Sequence, residues 1–306
     1  MSAILVTGSE GLIGIAFCDL LEKSGYRVRK FDLRSSDPGH RGDIRDEAAM
    51  QEAMKGCRGV VHLAAISRVA DGESDPELCW QTNVIGTEVV MRAAASMPIR
   101  PWVLLASSRE VYGEPSQLPV REDYPMRPVN VYGRSKAAAE RVALAWRRSG
   151  VETAVVRLAN VYGATNDHAR RVAPAFARGS MEGEVLQVCG RDNTFDFTHL
   201  DDVTLGLLSV VEALQAGEVL PPIHLASGLP TTLGELADLA ASLGGNRAKV
   251  AEVPAPEYNV SRFVGDPSRA RELLGWQARV KVGEGMNRLI DAYRQESGNK
   301  PATNVA

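Results

Sequence analysis

The stretch Asn130-Val-Tyr-Gly-Arg-Ser-Lys136 sets a phenol and an amine four residues apart. Positions i and i+4 share a helix face, so Tyr132 and Lys136 can address one point in space. A nearby ammonium favours the phenolate and lowers the phenol from its reference value of about 10, which makes a tyrosine a proton shuttle near neutral pH. The pattern alone carries little information, and its plain alternative is an exposed helix turn.

A second group sits at the N-terminus. Gly8-Ser-Glu-Gly11-Leu-Ile-Gly14 directly follows the apolar run Ile4-Leu-Val-Thr7 and opens a helical pattern. Glycines there let the backbone turn tightly and approach a pyrophosphate, whose charge the helix N-terminus meets. Gly8, Gly11, Leu12, Ile13 and Gly14 are the candidate cradle. Asp32 follows Gly14 by 18 residues, at the end of a second strand-like run, where a ribose-binding carboxylate belongs. It would accept hydrogen bonds from the adenosine ribose and repel a 2'-phosphate, which favours NAD over NADP. Arg34, two residues on, partly offsets that repulsion. The alternative is a structural strand-to-helix turn with no nucleotide.

Other chemistry-bearing residues are dispersed. Cys18, Cys57, Cys79 and Cys189 lie far apart with no C-x-x-C pair, and the five histidines are equally scattered, so neither a disulfide frame nor a metal site is expected. His199 with Asp201-Asp202 reads as a capped helix entry rather than a triad or metal centre. Trp102 and Trp146 read as core or interface.

The elements that must position these groups alternate. Strand-like runs at Ile4–Thr7, Arg27–Asp32, Val60–Leu63, Trp102–Ala106 and Thr153–Arg157 are separated by helical patterns, which predicts a parallel sheet with crossover helices. Leu12, Ile13, Ala16, Phe17, Leu20 and Leu21 form an apolar helical stripe before Gly25, so the first unit is βαβ. Further on come a helix at Arg171–Arg178, a short strand at Val185–Val188, a helix at Asp202–Leu214 and a return to the sheet at Pro221–Ala226. Residues 228–296 read as helices with little strand: Leu233–Leu243, Pro267–Leu274 and Val282–Tyr293. The expected architecture is α/β. A Rossmann-like, doubly wound dinucleotide domain spans residues 1–165 with 196–227. A smaller, mostly helical C-terminal substrate-binding lobe takes 166–195 and 228–296, and 297–306 is a flexible tail.

The chain has 306 residues, 44% of them hydrophobic, enough for a large core. Lys and Arg number 35 against 38 Asp and Glu, a formal charge of -3, so no electrostatic footprint for nucleic acid or an anionic membrane exists. No window approaches the roughly 20 apolar residues of a membrane span. A cytoplasmic location is the default expectation.

The order of the glycine turn, Asp32, Gly42-Asp43-Ile44, His62-Leu-Ala-Ala65, Asn83-Val-Ile-Gly-Thr87, Ser107-Ser-Arg-Glu-Val-Tyr-Gly113, Tyr132-x-x-x-Lys136, Arg157-Leu-Ala-Asn-Val-Tyr-Gly163 and His199-Leu-Asp-Asp-Val203 resembles the extended short-chain dehydrogenase/reductases. Within them it is similar to the NAD-dependent epimerase/dehydratase family that modifies nucleotide sugars. The resemblance runs from residue 3 to about residue 294. It implies Tyr132 as catalytic acid/base, and Lys136 as the residue that binds the nicotinamide ribose and tunes that tyrosine. Ser108, rather than its neighbour Ser107, would hydrogen-bond the sugar hydroxyl or carbonyl. Asp43 and Ile44 would meet the adenine, and Leu63, Ala64 and Ala65 the pyrophosphate and ribose side of NAD. Asn83 would stand by the cofactor as a structural or water-positioning residue, and Asn160 would touch the substrate.

The resemblance also implies oxidation of a sugar at C4 to a transient ketone, followed by epimerisation, dehydration or net reduction or oxidation. Relatives that dehydrate carry an adjacent Asp-Glu pair; here the pair is Arg109-Glu110, and an arginine is a poor proton donor. Glu110 is either a base or a buried carboxylate paired with Arg109. Many relatives grip a diphosphate with an Arg where this chain has Phe195, and this chain also lacks an evident second Arg at the family position well upstream of Gly265-Asp266. Either Arg191 and Arg262 compensate, or the substrate carries no diphosphate. The leading expectation is a nucleotide-sugar epimerase acting with NAD as a homodimer through helices 83–95 and 132–147. Its alternatives are a dehydratase or ketoreductase on the same site, and a dinucleotide sensor without turnover.

Overall fold

Alternate residues of the first strand leave to opposite sides: Ile4 and Val6 join one buried cluster, Ala3 and Leu5 another. Trp102, Leu104 and Ala106 repeat the split against Val103 and Leu105 further along the sheet. Apolar residues on both faces are the mark of a sheet covered by helices on both sides. The structure, a computed structural model, describes residues 3–256 and 258–298.

In chain order the strands are β1 (Ala3–Thr7), β2 (Arg27–Phe31), β3 (Cys57–His62), β4 (Trp102–Ser108), β5 (Thr153–Leu158), β6 (Asn160–Tyr162), β7 (Val185–Cys189), β8 (Thr194–His199), β9 (Ile223–Leu225), β10 (Pro230–Thr232), β11 (Lys249–Val253) and β12 (Arg262–Phe263). The α-helices are α1 (Leu12–Lys23), α2 (Glu47–Met54), α3 (Val69–Ser74), α4 (Pro76–Trp80), α5 (Gly86–Ser96), α6 (Val131–Trp146), α7 (Val172–Glu182), α8 (Leu200–Gln215), α9 (Leu233–Leu243), α10 (Ser268–Leu274) and α11 (Val282–Gly298). Among the described residues, six strands form one parallel sheet in the order β2-β1-β3-β4-β5-β9. The predicted α/β doubly wound sheet is what forms. Helices α1 and α8 cover one face with Phe17, Leu21, Val203 and Leu207. Helices α2, α5 and α6 cover the other with Met50, Met54, Val90 and Ala139.

The chain passes from β1 to β2 on one side and returns to β3 on the other, so the loops after β1 and β3 part. A crevice at the carboxyl ends of such diverging strands is where open α/β sheets take ligands. A parallel bridge between Asp32 and Arg41 prolongs the β2 edge and brings residues 42–45 beside it.

A further buried cluster joins Phe176 and Ala177 of α7, Leu236 and Ala237 of α9, and Leu289 and Ile290 of α11 with Tyr112, Ala137 of α6 and Tyr162 of β6. Around it lies more strand than the sequence pattern suggested: β10, β8 and β12 form a small sheet with β6 attached, and β7 pairs with β11, so β6 and β8 stand apart from the main sheet with which the sequence pattern groups 1–165 and 196–227. Ala270 of α10 and Trp276 pack in the core of the main sheet. Helix α11 runs through Ser297 to Gly298, where a tail was expected, and 299–306 lie outside the described residues. Among the described residues no helix is long and apolar enough to cross a membrane, and no group of three or more His, Cys, Asp or Glu side chains is placed to hold a metal.

Candidate active site

A cleft of about 920 Å³ opens along the carboxyl ends of the strands and reaches into the second lobe. Its first wall is the turn from β1 into α1. Gly8 has φ +72, and a Cβ there would stand 2.6 Å from the Ala64 amide nitrogen. A Cβ on Gly14 would stand 2.1 Å from the Gly8 carbonyl oxygen, so helix, turn and the 63–64 backbone meet at van der Waals limits. Helix α1 begins after Gly11 with no side-chain cap, which leaves its first N–H groups for a ligand. Gly8, Gly11, Leu12, Ile13 and Gly14 all line the cleft, as do Leu63, Ala64 and Ala65 opposite.

Asp32 is buried just past β2. Its two oxygens accept the Glu10 N–H at 3.0 Å and the Arg34 N–H at 2.8 Å, and the Arg34 guanidinium lies 3.6 Å away. Asp43 is paired with Arg45 at 2.6 Å, and the hydrogen bonds from Arg45 hold its carboxyl below the usual range. Both acids, with Arg34 and Ile44, line the same end of the cleft.

Asn83 does not line it. It sits in a single π-helical turn, Gln81–Ile85, between α4 and α5. Its side chain accepts the Ile66 N–H at 2.8 Å, donates to the Ile66 carbonyl at 3.0 Å, and donates to Ser135 Oγ of α6 at 2.9 Å. Asn83 thus ties the loop after β3 to α6 from behind.

Tyr132 stands in the first turn of α6, one turn before Lys136, and both line the cleft with Ser108. Asn130 caps this helix by accepting the Gly133 N–H at 2.7 Å. Lys136 Nζ donates to the Ala106 carbonyl at 2.9 Å, and burial pulls its pKa down to about 8, against opposing pulls from Cys79 and Glu140. Tyr132 departs from the sequence expectation. Burial raises its phenol above the ordinary value, and the principal influences in the other direction are Ser108 and Arg171, not Lys136. Burial outweighs them because a phenolate loses most of its hydration in this wall.

Ser107 and Ser108 are separated by their hydrogen bonds. Ser107 Oγ donates to Glu140 Oε1, in a buried network with Arg157, whereas Ser108 Oγ accepts the Glu110 N–H at 3.2 Å beside the tyrosine. Glu110 lines the cleft with both oxygens engaged: Oε1 faces Arg109 at 2.8 Å and Oε2 accepts from Asn130 at 2.8 Å. The pairing reading of Glu110 is the one this geometry favours. Arg109 donates in turn to Asn160 Oδ1 at 2.9 Å and lies over the Phe195 ring, 4.5 Å from its centroid. Asn160 and Phe195 line the substrate half.

Arg191 and Arg262 do not line the cleft. Arg191 bonds Asp238, and Arg262 faces Glu114 at 3.4 Å and donates to the Pro115 carbonyl at 3.0 Å. Besides Arg34, Arg109 and Lys136, cations that the sequence reading did not single out line it: Arg45, Arg68, Arg170 and Arg171, with His168. Arg171 donates to Ser67 Oγ at 3.0 Å and Arg68 lies 3.0 Å from His168, so residues 166–171 form a strap tied across the cleft to the loop after β3. The Arg170-Arg171 doublet beside His168 was the available signal, hidden in a stretch without periodicity.

Residues 4–223 match the sequence profile of the NAD dependent epimerase/dehydratase family. The chain belongs to this family. A UDP-glucose 4-epimerase of Rhizobium leguminosarum bv. trifolii is 29% identical over 92% of this chain and 94% of its own length. A dTDP-glucose 4,6-dehydratase of Streptomyces antibioticus is 31% identical over 95% of this chain and 92% of its own. The crystal structure of MoeE5 with UDP-glucose and NAD superposes with a TM-score of 0.89 at 28% identity, covering 96% of this chain and 99% of that one. The chain is therefore an enzyme of the NAD-dependent epimerase/dehydratase type with NAD as cofactor. The residues present fit that group: a side chain at Gly8 would fill the cradle, α1 offers uncapped N–H groups, and Asp32 stands at the ribose end.

Proposed function

We propose that the protein epimerises a nucleotide-activated sugar through a transient 4-keto intermediate, as a cytoplasmic enzyme. NAD, when bound by the Gly8–Gly14 cradle, Asp32 and Lys136, supplies a two-electron acceptor that can return what it takes. Ser108 orients the sugar oxygen by hydrogen bonding, and Tyr132 takes its proton as the carbonyl forms and gives it back as the alcohol is restored. The single observation that carries epimerisation over dehydration is the state of Glu110. Both its oxygens are occupied and its neighbour Arg109 has no proton to give at working pH, so no acid and base pair is free for elimination.

With Arg191 and Arg262 engaged elsewhere, the strap is the support for a phosphate contact. Among the described residues Arg170 lines the cleft without a carboxylate partner within ion-pair distance, and a guanidinium suits phosphate oxygens. Leu78, Trp80 and Ile85, exposed on the α4–α5 segment, support a homodimer through that face.

Purified enzyme incubated with UDP-glucose, dTDP-glucose and UDP-glucuronic acid tests the reading. The expected result is the C4 epimer of one of them with no lasting rise in NADH absorbance. Accumulation of a dehydrated keto sugar, or stoichiometric NADH, would replace epimerase with dehydratase or dehydrogenase.

A further inference from the structure

Helix α6 presents Tyr132 from its first turn, where the backbone N–H groups have no partner inside the helix. Asn130 takes the Gly133 N–H. The Val131 N–H, one residue before the tyrosine, is taken from another element: Glu73 Oε1 of α3 accepts it at 2.8 Å. A side-chain oxygen that accepts one of these N–H groups completes a cap, whether or not it is charged. The two segments are also pressed together. A Cβ on Gly72 would lie 3.3 Å from both the nitrogen and the Cβ of Tyr132, and on the other side a Cβ on Gly133 would lie 2.5 Å from the Glu110 carbonyl oxygen. The turn that carries the tyrosine is thus held between residues 72–73 and 110.

Helix α3 is itself anchored at the cleft. It starts after Arg68, which reaches His168 of the strap, and Ser67 just before it accepts from Arg171. The strap, α3 and the tyrosine form a continuous chain of contacts ending at the Glu73 carboxylate.

We propose that Glu73 is a positioning residue for Tyr132: by reach rather than by charge, it fixes the first turn of α6 from the segment that the strap grips. The proposal rests on the reading of Tyr132 as the proton carrier. Three substitutions separate reach from charge. Glu73→Gln keeps the acceptor oxygen at the same reach and loses the charge. Glu73→Asp keeps the charge and is one methylene short, and Glu73→Ala loses both.

For turnover of whichever of UDP-glucose, dTDP-glucose and UDP-glucuronic acid the enzyme accepts, Glu73→Ala and Glu73→Asp are expected to lower kcat by about tenfold or more, as small misplacements of a catalytic group do. KM and NAD affinity by titration should stay within about twofold of wild type on that account, and Glu73→Gln should stay near wild type throughout. Amide hydrogen exchange over residues 130–137 should speed up in the Ala and Asp variants and not in the Gln variant. Unchanged exchange and kcat in Glu73→Ala, or a Gln variant as impaired as Ala, overturns the proposal. If Tyr132→Phe keeps full turnover, or no sugar turns over, the functional reading fails and the exchange pattern alone decides whether Glu73 holds the turn.

Discussion

At the scale of single residues, the pair Tyr132 and Lys136 was legible from its spacing, and so were the glycines and Asp32. The sign of the tyrosine's shift was not. Spacing reports a shared helix face; it does not report burial, which raises the phenol here, or the turn of Lys136 onto the Ala106 carbonyl. A phenol held above its ordinary value is protonated at neutral pH, so this side chain must shed its own proton before it can take the sugar's. On the proposed function, in which Tyr132 carries the proton, Tyr132→Phe is expected to lower turnover by a factor of about 10² to 10⁴ while NAD still binds, measured by steady-state rates beside a cofactor titration. Retained partner binding with no wild-type turnover at all would instead mark a sensor. The Arg109-Glu110 pair was legible as a departure from the dehydrating pattern, but its consequence needed coordinates. Asn130 and Asn160, distant in sequence, complete the contacts that occupy it.

At the scale of elements, the long periodic segments were readable and the short ones were not. Strands β6, β10 and β12 have three, three and two residues, too few to express an alternation. They form because β8 supplies a partner edge, which no local pattern records. The helical stripe of α10 was visible, but which core it joins was not, since Ala270 would suit either. The β1–α1 turn is the element whose sequence and structure agree most closely, and it carries the sharpest element-level expectation. In Gly8→Ala the new methyl would meet the 63–64 backbone and the residue would be forced to hold a left-handed φ. That strain costs about 1–3 kcal/mol, and the displaced turn should lose most NAD affinity; calorimetric titration and denaturant unfolding together read both.

At the scale of the whole molecule, two buried histidines contribute to acid stability. His62 bridges Thr7 and Thr87 beneath the cofactor half, and His224 contacts the Tyr112 hydroxyl at 2.6 Å where β9 meets the second core. Burial, aided by Lys136 for one and Arg157 for the other, pulls each pKa down to about 3 from an ordinary 6.5. Unfolding lets both take up protons below about pH 6.5, so their contribution is complete above that value and is lost as pH falls towards 3. Each should remove about 1.4 kcal/mol of stability per pH unit in that window. Urea midpoints at pH 7 and pH 5 are expected to separate accordingly, and His224→Gln should roughly halve the difference, His62 remaining. A midpoint independent of pH over that range would contradict the assignment.

One consequence follows from how the cleft is wired. Arg34, Arg45, Arg68, Arg109 and Arg171 each face an acid, namely Asp32, Asp43, Asp71, Glu110 and Asp167, at 3.6 Å or less. Opposite charges so close cancel beyond about one Debye length, roughly 8 Å in physiological salt, and the chain as a whole carries -3. A polyanionic sugar drifting in solution therefore feels little long-range attraction from these pairs, and Arg170, which lines the cleft with no acid partner among the described residues, is left to draw it. At the five paired guanidinium groups, discrimination begins only at touching distance, when the sugar's own oxygens compete with those acids.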